Sequence, residues 1–263
     1  MNSKNFYSEY NNNGVINIKN CLKLKSLKKI RKKYFLLKKK INRTKILKDQ
    51  PVVVFWKHLK GEKKQIITYN EFPELKNLLY NDIKDILKKI FKNKLKKIRL
   101  VETVFFEKPP SKNNILHWHQ DVAYFPIKTR KQFAIWIPFS AVNKNNGALS
   151  YALGSNKESI GPSIDLHKGA SYPGDKRIFL LNKKKFFKKC FNMSLGSLLL
   201  HNGYTYHYSG ANKSRKSRLA LSIRFIAGDH KYMPHPFEGG AFSKQIQLKK
   251  GQIFSGKSFP IIY

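Results

Sequence analysis

Leu116-His117-Trp118-His119-Gln120-Asp121 is the stretch whose reading decides the fold and the chemistry of this chain. In an extended strand, residues two apart project from one face, so His119 and Asp121 stand together. They lie about 6–7 Å apart along such a strand, close enough to lean toward one metal ion roughly 2 Å from each ligand atom. His117 shares that face, yet it is about 13 Å from Asp121 along a strand. The strand therefore offers either His117 with His119 or His119 with Asp121. A third ligand has to come from elsewhere in the chain.

On both sides of this stretch, apolar runs alternate with turn signals. Ile98–Phe106 reads as a strand stopped by Pro109-Pro110. Phe133–Phe139 is a second strand, Asn145-Asn146-Gly147 carries a hairpin-turn signature, and Ala148–Leu153 continues as strand before Gly154-Ser155. Ser197–His201 and Leu219–Ile226 follow. Short strands at close intervals with turns between them predict an all-β sandwich or jelly roll. Residues 157–192 mix Gly, Pro and Lys with weak periodicity, and we expect a long loop or lid there that bears on substrate choice.

The N-terminal part has a different period. Residues 7–20 suggest a short helix or turn leading into a strand, with Ile16 and Ile18 alternating with polar neighbours. From Asn20 to Asp49, Leu22, Leu24, Leu27, Ile30, Tyr34, Leu37 and Ile41 recur at helical intervals among lysines. That pattern predicts one or two amphipathic helices, which we expect to pack on the protein's own core rather than on a membrane. Gln50-Pro51 ends the run, and Val52–Trp56 is a short strand. Asn70-Glu71-Phe72-Pro73-Glu74 resembles a helix start with Asn70 as cap, followed by Leu75, Leu78, Ile83, Ile86, Ile90 and Phe91. The expectation is one domain over 1–263, with a mainly helical part to about residue 95 packed on a β core over about 96–230.

A chain of 263 residues with 41% apolar and 26% charged side chains can bury a substantial core. It has no apolar run long enough to span a membrane, and its N-terminus lacks the basic-then-apolar pattern of a signal peptide. Cys21 and Cys190 are isolated and fit no metal or redox spacing, so a reducing, cytoplasmic location is expected. The net charge of +38 would favour nucleic acid or anionic membrane. Only 8 of the 53 basic residues are arginine, however, the residue that reads phosphates and bases bidentately. Genes rich in A and T drift toward Lys, Asn and Ile, and we read the charge as a lysine-rich solvated surface. The rival reading, a non-catalytic basic jelly-roll protein binding nucleic acid or anionic membrane, leaves the metal-ligand pattern unexplained.

The third ligand is sought in Gly196-Ser-Leu-Leu-Leu-His201-Asn-Gly-Tyr-Thr-Tyr-His207-Tyr-Ser209-Gly210-Ala-Asn212. A turn from Ser209 to Ser217 would bring Arg218, which opens the next strand, back beside His207. One His-x-Asp, one distant histidine and an arginine behind it match a non-haem iron site. There two histidines and a carboxylate hold one face of Fe(II) and leave positions open. The guanidinium fork would bind a carboxylate bidentately, as a dicarboxylate cosubstrate requires. A metal enzyme of this fold without such a cosubstrate is the nearer alternative. His117 and His201 are read as strand residues around the site. Tyr124, Lys128 and Arg130, just after the metal strand, are candidate substrate contacts.

At these residues the chain resembles a known family, the phytanoyl-CoA dioxygenase-like (PhyH) Fe(II)/2-oxoglutarate oxygenases. Glu107-Lys-Pro-Pro110 and His119-Gln-Asp-Val-Ala-Tyr-Phe-Pro126 are similar to its Lys-Pro-Pro and His-Gln-Asp-x-x-Tyr-Phe-Pro blocks. Ala134-Ile-Trp136-Ile-Pro, Asn146-Gly-Ala-Leu149, Leu153-Gly-Ser-Asn-Lys157 and His207-Tyr-Ser-Gly-Ala-Asn212 with Arg218 resemble later blocks in the same order. Gly228-Asp-His-Lys-Tyr232-Met-Pro234 is similar to the usual continuation. The resemblance implies a double-stranded β-helix, a jelly roll of cupin type, with helices packed outside it. It implies Fe(II) on His119, Asp121 and His207, with Arg218 anchoring the far carboxylate of 2-oxoglutarate. Ser209 would place a hydroxyl beside that carboxylate, and Trp136 would line the cosubstrate pocket. Consumption of O2 and 2-oxoglutarate, release of succinate and CO2, and oxidation of a small organic substrate follow from the same resemblance. Halogenating relatives have a small residue in place of Asp121, so hydroxylation is the reaction implied.

Overall fold

The described strands form two sheets in the computed structural model, which describes residues 5–40, 52–57, 65–161, 186–234 and 248–263. The larger runs in the order β1 (Val15–Ile18), β9 (Leu198–Asn202), β6 (Gln132–Pro138), β11 (Arg218–Ala227), β4 (Ile98–Lys108), β2 (Val52–Lys57) and β3 (Gln65–Thr68). The smaller runs β5 (Leu116–His119), β10 (His207–Ser209), β7 (Leu149–Ala152) and β8 (Lys188–Cys190). Among the described residues every ladder is antiparallel except β2 on β4. Two mostly antiparallel sheets with helices outside them are the mainly β, jelly-roll architecture that the strand series predicts.

The side-chain alternation of β11 divides the molecule into two chemical environments. Leu219, Leu221, Ile223 and Phe225 point to the main apolar core, while Arg218, Ser222 and Arg224 face a cavity between the sheets. β6 repeats the division, with Phe133, Ile135 and Ile137 in the core and Trp136 on the cavity side. On the core side lie α1 (Phe6–Asn13), α2 (Leu24–Lys40), α3 (Pro73–Asn77) and α4 (Lys84–Phe91). α2 buries Leu27, Ile30 and Tyr34, one stripe of the expected amphipathic helix. The Tyr34 ring meets Phe55 at 4.7 Å and Phe105 at 5.0 Å, and its hydroxyl donates to Glu107 at 2.9 Å. Lys38 also pairs with Glu107, so polar bonds as well as apolar packing seat α2 on β4.

Several local expectations are corrected. Asn70 is not the helix cap: Tyr69–Glu71 forms a 3-10 turn and α3 begins at Pro73, whose fixed φ and missing N–H suit a first helical position. A π-helical turn, Leu78–Ile83, joins α3 to α4. Buried residues at Leu75, Leu79, Ile83, Leu87 and Phe91 repeat every four positions, longer than the 3.6-residue α turn, and the wider turn absorbs the mismatch. β3 was not expected; it completes a hairpin with β2. Asn145-Asn146-Gly147 is a turn, with Gly147 at φ +79°, but it links β6 to β7 in different sheets rather than closing a hairpin. Residues 162–185 of the expected lid, and Ile41–Pro51 of the N-terminal reading, lie outside the described residues. The end of the expected lid is strand: β8 pairs with β7, and Phe191 is buried.

Gly14 joins α1 to β1 at φ +73°, and its carbonyl accepts from Asn202 N and Thr205 Oγ1, each at 2.8 Å. A Cβ there would stand 2.3 Å from Thr205 Oγ1 and 2.8 Å from Asn156 Oδ1. Left-handed strain and overpacking each cost about 1–3 kcal/mol, so Gly14→Ala should destabilise the protein by roughly 2–4 kcal/mol in urea titration.

Candidate metal centre

His119 closes β5 and His207 opens β10, and the two residues are direct partners across the ladder. Their rings lie 4.0 Å apart between centroids. His119 Nδ1 lies 2.7 Å from the His117 carbonyl, and His207 Nδ1 lies 3.0 Å from that of Thr205. A carbonyl only accepts, so each Nδ1 carries a proton, and in the neutral ring Nε2 keeps its lone pair. Both lone pairs face Asp121 Oδ1, at 3.9 and 3.8 Å. Burial, then the neighbouring His119, holds His207 well below the usual imidazole range, which keeps it neutral. Burial raises the Asp121 carboxyl, but Arg224 together with His201 and His207 brings it well below its ordinary value, so it is ionised. Ligand atoms of the three residues all lie within 4.8 Å of one another, and all three side chains are buried. Three electron-pair donors facing one another out of water are an arrangement that a cation resolves.

Asp121 is not on the strand. It begins a 3-10 turn, Asp121–Tyr124, and reaches the site because Gln120 before it is still extended at φ −110°, ψ 133°. The Gln120 side chain donates to Tyr204 O at 2.8 Å and Ser159 O at 3.1 Å and accepts from Gly161 N at 2.7 Å, which fixes the turn's entry. The choice left open by strand spacing falls to His119 with Asp121. His117 contributes its carbonyl instead of its imidazole.

Arg224 Nη2 lies 3.5 Å from Asp121 Oδ1, and its Nη1 donates to Glu102 Oε2 at 2.7 Å. A buried guanidinium between two carboxylates offsets part of the cost of keeping Asp121 charged out of water. Arg218 shares the inner face of β11 and is 3% exposed. Its Nε and Nη1 have no hydrogen-bond partner among the described residues. Burial lowers its pKa to about 10, which leaves it charged near neutral pH. Its guanidinium carbon lies 5.2 Å from the centre of the Trp136 ring. Arg218, Trp136 and Ser209 line the same cavity as His119, Asp121 and His207.

Ser209 is engaged already: its hydroxyl donates to Gly147 O at 2.9 Å and accepts from Lys108 Nζ at 2.7 Å. Lys108 is fully buried, pairs with Arg218 in the ladder, and also donates to Ser209 O at 3.1 Å and Gly210 O at 2.7 Å. Burial and then Arg218 push its pKa down to about 6, whereas three acceptors call for the fully protonated ammonium. The lysine therefore braces Ser209 and the backbone beside it through three hydrogen bonds. Of the candidate substrate contacts, Tyr124 stands edge-on to His119 at 6.0 Å between ring centres. Lys128 is exposed and does not line the cavity. Arg130 instead donates to the carbonyls of Asn156 and Glu158, at 2.7 and 3.1 Å, and covers the Tyr204 ring at 4.5 Å.

Glu102, Lys108, Tyr151 and Arg224 escaped the sequence reading. Arg224 had a usable signal: it lies six residues after Arg218 on one strand, an even spacing that puts both on one face. Lys108 stood in the quoted Lys-Pro-Pro block without a role. Glu102 and Tyr151 read as ordinary strand residues.

A jelly roll that converges two imidazoles and a carboxylate inside its cavity has the donor set of mononuclear metal proteins with a 2-His-1-carboxylate site. The family model described as phytanoyl-CoA dioxygenase (PhyH) matches residues 10–220. The chain belongs to that family, the Fe(II)- and 2-oxoglutarate-dependent oxygenases its motifs resemble. Human peroxisomal phytanoyl-CoA dioxygenase is 24% identical over 250 residues, which cover 89% of this chain and 70% of the human protein. Among solved structures, the non-haem alpha-ketoglutarate-dependent carbocyclase SnoK of nogalamycin biosynthesis has a TM-score of 0.74 at 18% identity, covering 99% of this chain and 96% of its own. The epimerase SnoN in complex with Fe3+, alpha-ketoglutarate and nogalamycin RO has a TM-score of 0.69 at 16% identity, covering 99% and 98%. Among the described residues no helix is long and apolar enough to cross a membrane.

Proposed function

We propose that the protein is a single-domain dioxygenase that uses Fe(II), 2-oxoglutarate and O2 to hydroxylate a small organic substrate. The observation that carries this reading is Arg218, a buried guanidinium with two nitrogens that have no partner among the described residues, in the cavity that holds the three candidate metal-ligand side chains. A buried cation left short of acceptors is costly unless an anion completes it. His119, Asp121 and His207 would hold the iron, Arg218 the far carboxylate of 2-oxoglutarate, and Trp136 would flank it. Lys108 supports this end by its hydrogen bond to Ser209. When bound, iron and 2-oxoglutarate supply with O2 an oxidant strong enough to break an aliphatic C–H bond, while 2-oxoglutarate leaves as succinate and CO2.

The chain's own contribution is to present three ligands on one side, to keep both imidazoles in the Nε2-binding tautomer, and to exclude water by burial. Asp121 supports hydroxylation, because it occupies the position that halogenating relatives leave small. A small-molecule substrate suits a cavity between two sheets lined by buried side chains better than nucleic acid does. The two free, isolated cysteines suit a reducing compartment, the cytoplasm in our reading. The test is succinate formation under air from purified protein, Fe(II) and 2-oxoglutarate across a panel of acyl thioesters, amino acids and other small metabolites. Iron-dependent turnover stimulated by one class is expected. Absence of any iron-dependent loss of 2-oxoglutarate would refute the proposal.

A further inference from the structure

We infer that His201, backed by Tyr151, is a positioning residue that holds Asp121 as a one-oxygen ligand and so preserves an open metal position. The inference rests on the proposed function and concerns residues outside the ligand set. A carboxylate can bind a metal through one oxygen or both, and a two-oxygen grip would occupy a position that the facial arrangement must leave open. Here the oxygens of Asp121 face different partners. Oδ1 looks toward the Nε2 atoms of both ligand histidines, at 3.9 and 3.8 Å. Oδ2 turns away, to His201 Nε2 at 3.3 Å.

Proton bookkeeping gives this contact a direction. Ionised Asp121 can only accept, so His201 Nε2 is the donor. In the neutral ring Nδ1 is then an acceptor, and the Tyr151 hydroxyl, 3.0 Å away, donates to it. The two bonds run the same way, from Tyr151 through His201 to Asp121. His201 and Tyr151 are 2% and 0% exposed, so water does not compete for either bond. They also come from different sheets. His201 lies on β9 opposite Ala134, and Tyr151 lies on β7 opposite His207 itself. The chain of bonds therefore ties the orientation of the carboxylate to the ladder that fixes a ligand histidine. Arg224 does a different job: its short bond goes to Glu102 and its 3.5 Å contact is with Oδ1, so it supplies charge while His201 sets the rotation. His201 is not a fourth ligand, since Oδ2 occupies its Nε2 and it stands outside the mutually close set.

The experiment compares full-length wild type with His201→Ala, His201→Gln and Tyr151→Phe. The glutamine amide restores a donor near the position of Nε2; alanine does not. Fe(II) affinity is read by chelator competition, and metal geometry by the visible charge-transfer absorption of the anaerobic Fe(II)–2-oxoglutarate complex. His201→Ala should weaken Fe(II) binding by about 10- to 100-fold, the usual effect of removing a group that orients a metal ligand, and should shift the absorption. His201→Gln should recover most of both, and Tyr151→Phe should move them a few-fold the same way. Wild-type affinity and absorption in His201→Ala would overturn the inference, as would equal defects in the alanine and glutamine variants. If the alanine variant fails to fold, Tyr151→Phe decides, and an unchanged spectrum and affinity there reject the role. A wild type that binds no Fe(II) and gives no such absorption instead removes the proposed function itself.

Discussion

Alanine at His119, Asp121 or His207 is expected to reduce iron-dependent conversion of 2-oxoglutarate to succinate by more than about 100-fold, beyond the ~10- to 100-fold typical of losing a residue that merely orients a ligand. The three variants should differ in stability even though they share this loss. His119→Ala and His207→Ala each remove an imidazole ring and the bond its Nδ1 makes to a backbone carbonyl. Asp121→Ala also strips a carboxylate from buried Arg224, leaving Glu102 as its remaining carboxylate partner. Breaking a buried ion pair from one side costs about 3–5 kcal/mol, so Asp121→Ala should also unfold at lower denaturant concentration than the histidine variants. Asp121→Asn, which keeps the shape, separates lost ligation from lost volume. Metal content and succinate yield measured together check the prediction, and wild-type turnover in any of the three alanine variants would remove that residue from the site.

Arg218→Met is expected to move binding and stability in opposite directions. Removing one partner of a buried charge pair costs about 2–5 kcal/mol, which predicts a 2-oxoglutarate affinity weaker by roughly 30- to 5,000-fold. Two buried nitrogens of Arg218 have no partner among the described residues, and an unsatisfied buried group costs about 1–3 kcal/mol. An apolar chain of similar length should therefore raise the unfolding free energy of the ligand-free protein, by about 1–4 kcal/mol, the range for buried ionic groups replaced by apolar ones. Arg218→Lys, which retains charge and loses the fork, should bind between the two. Isothermal titration and urea melts on the same preparations test both signs. Intact 2-oxoglutarate affinity in Arg218→Met would assign the guanidinium another purpose.

The main strands and the clustering of the candidate ligands were legible because each has a local signature. Period-two apolar runs gave the main strands of the larger sheet, and the order of short motifs gave His119, Asp121, His207 and Arg218. Features set by partners distant in sequence were not legible. β10 is three residues long and exists because β5 and β7 pair on either side of it. Asn145-Asn146-Gly147 has the composition of a hairpin turn, but the decision to cross to the other sheet lies in what β6 and β7 find to pair with. Lys108 looked like one lysine among 45; only the ladder that sets it opposite Arg218 distinguishes it. Arg130 showed the converse failure, since nearness to the metal strand in sequence did not put it in the cavity.

His207 and Arg218 face one cavity from different sheets. His207 is fixed by neighbours on both sides, His119 and Tyr151, and Arg218 by Lys108 across its ladder. Two posts set in rigid sheets make the cradle between them a gauge. On the proposed reading, a keto diacid one carbon shorter than 2-oxoglutarate would reach one post and leave the other unmade, and a longer one would have to buckle. A single methylene in a fitted pocket is worth about 1–3 kcal/mol, or roughly 10- to 200-fold. The sheets would thus select the cosubstrate by length, while leaving the loops at the cavity mouth free to vary the substrate.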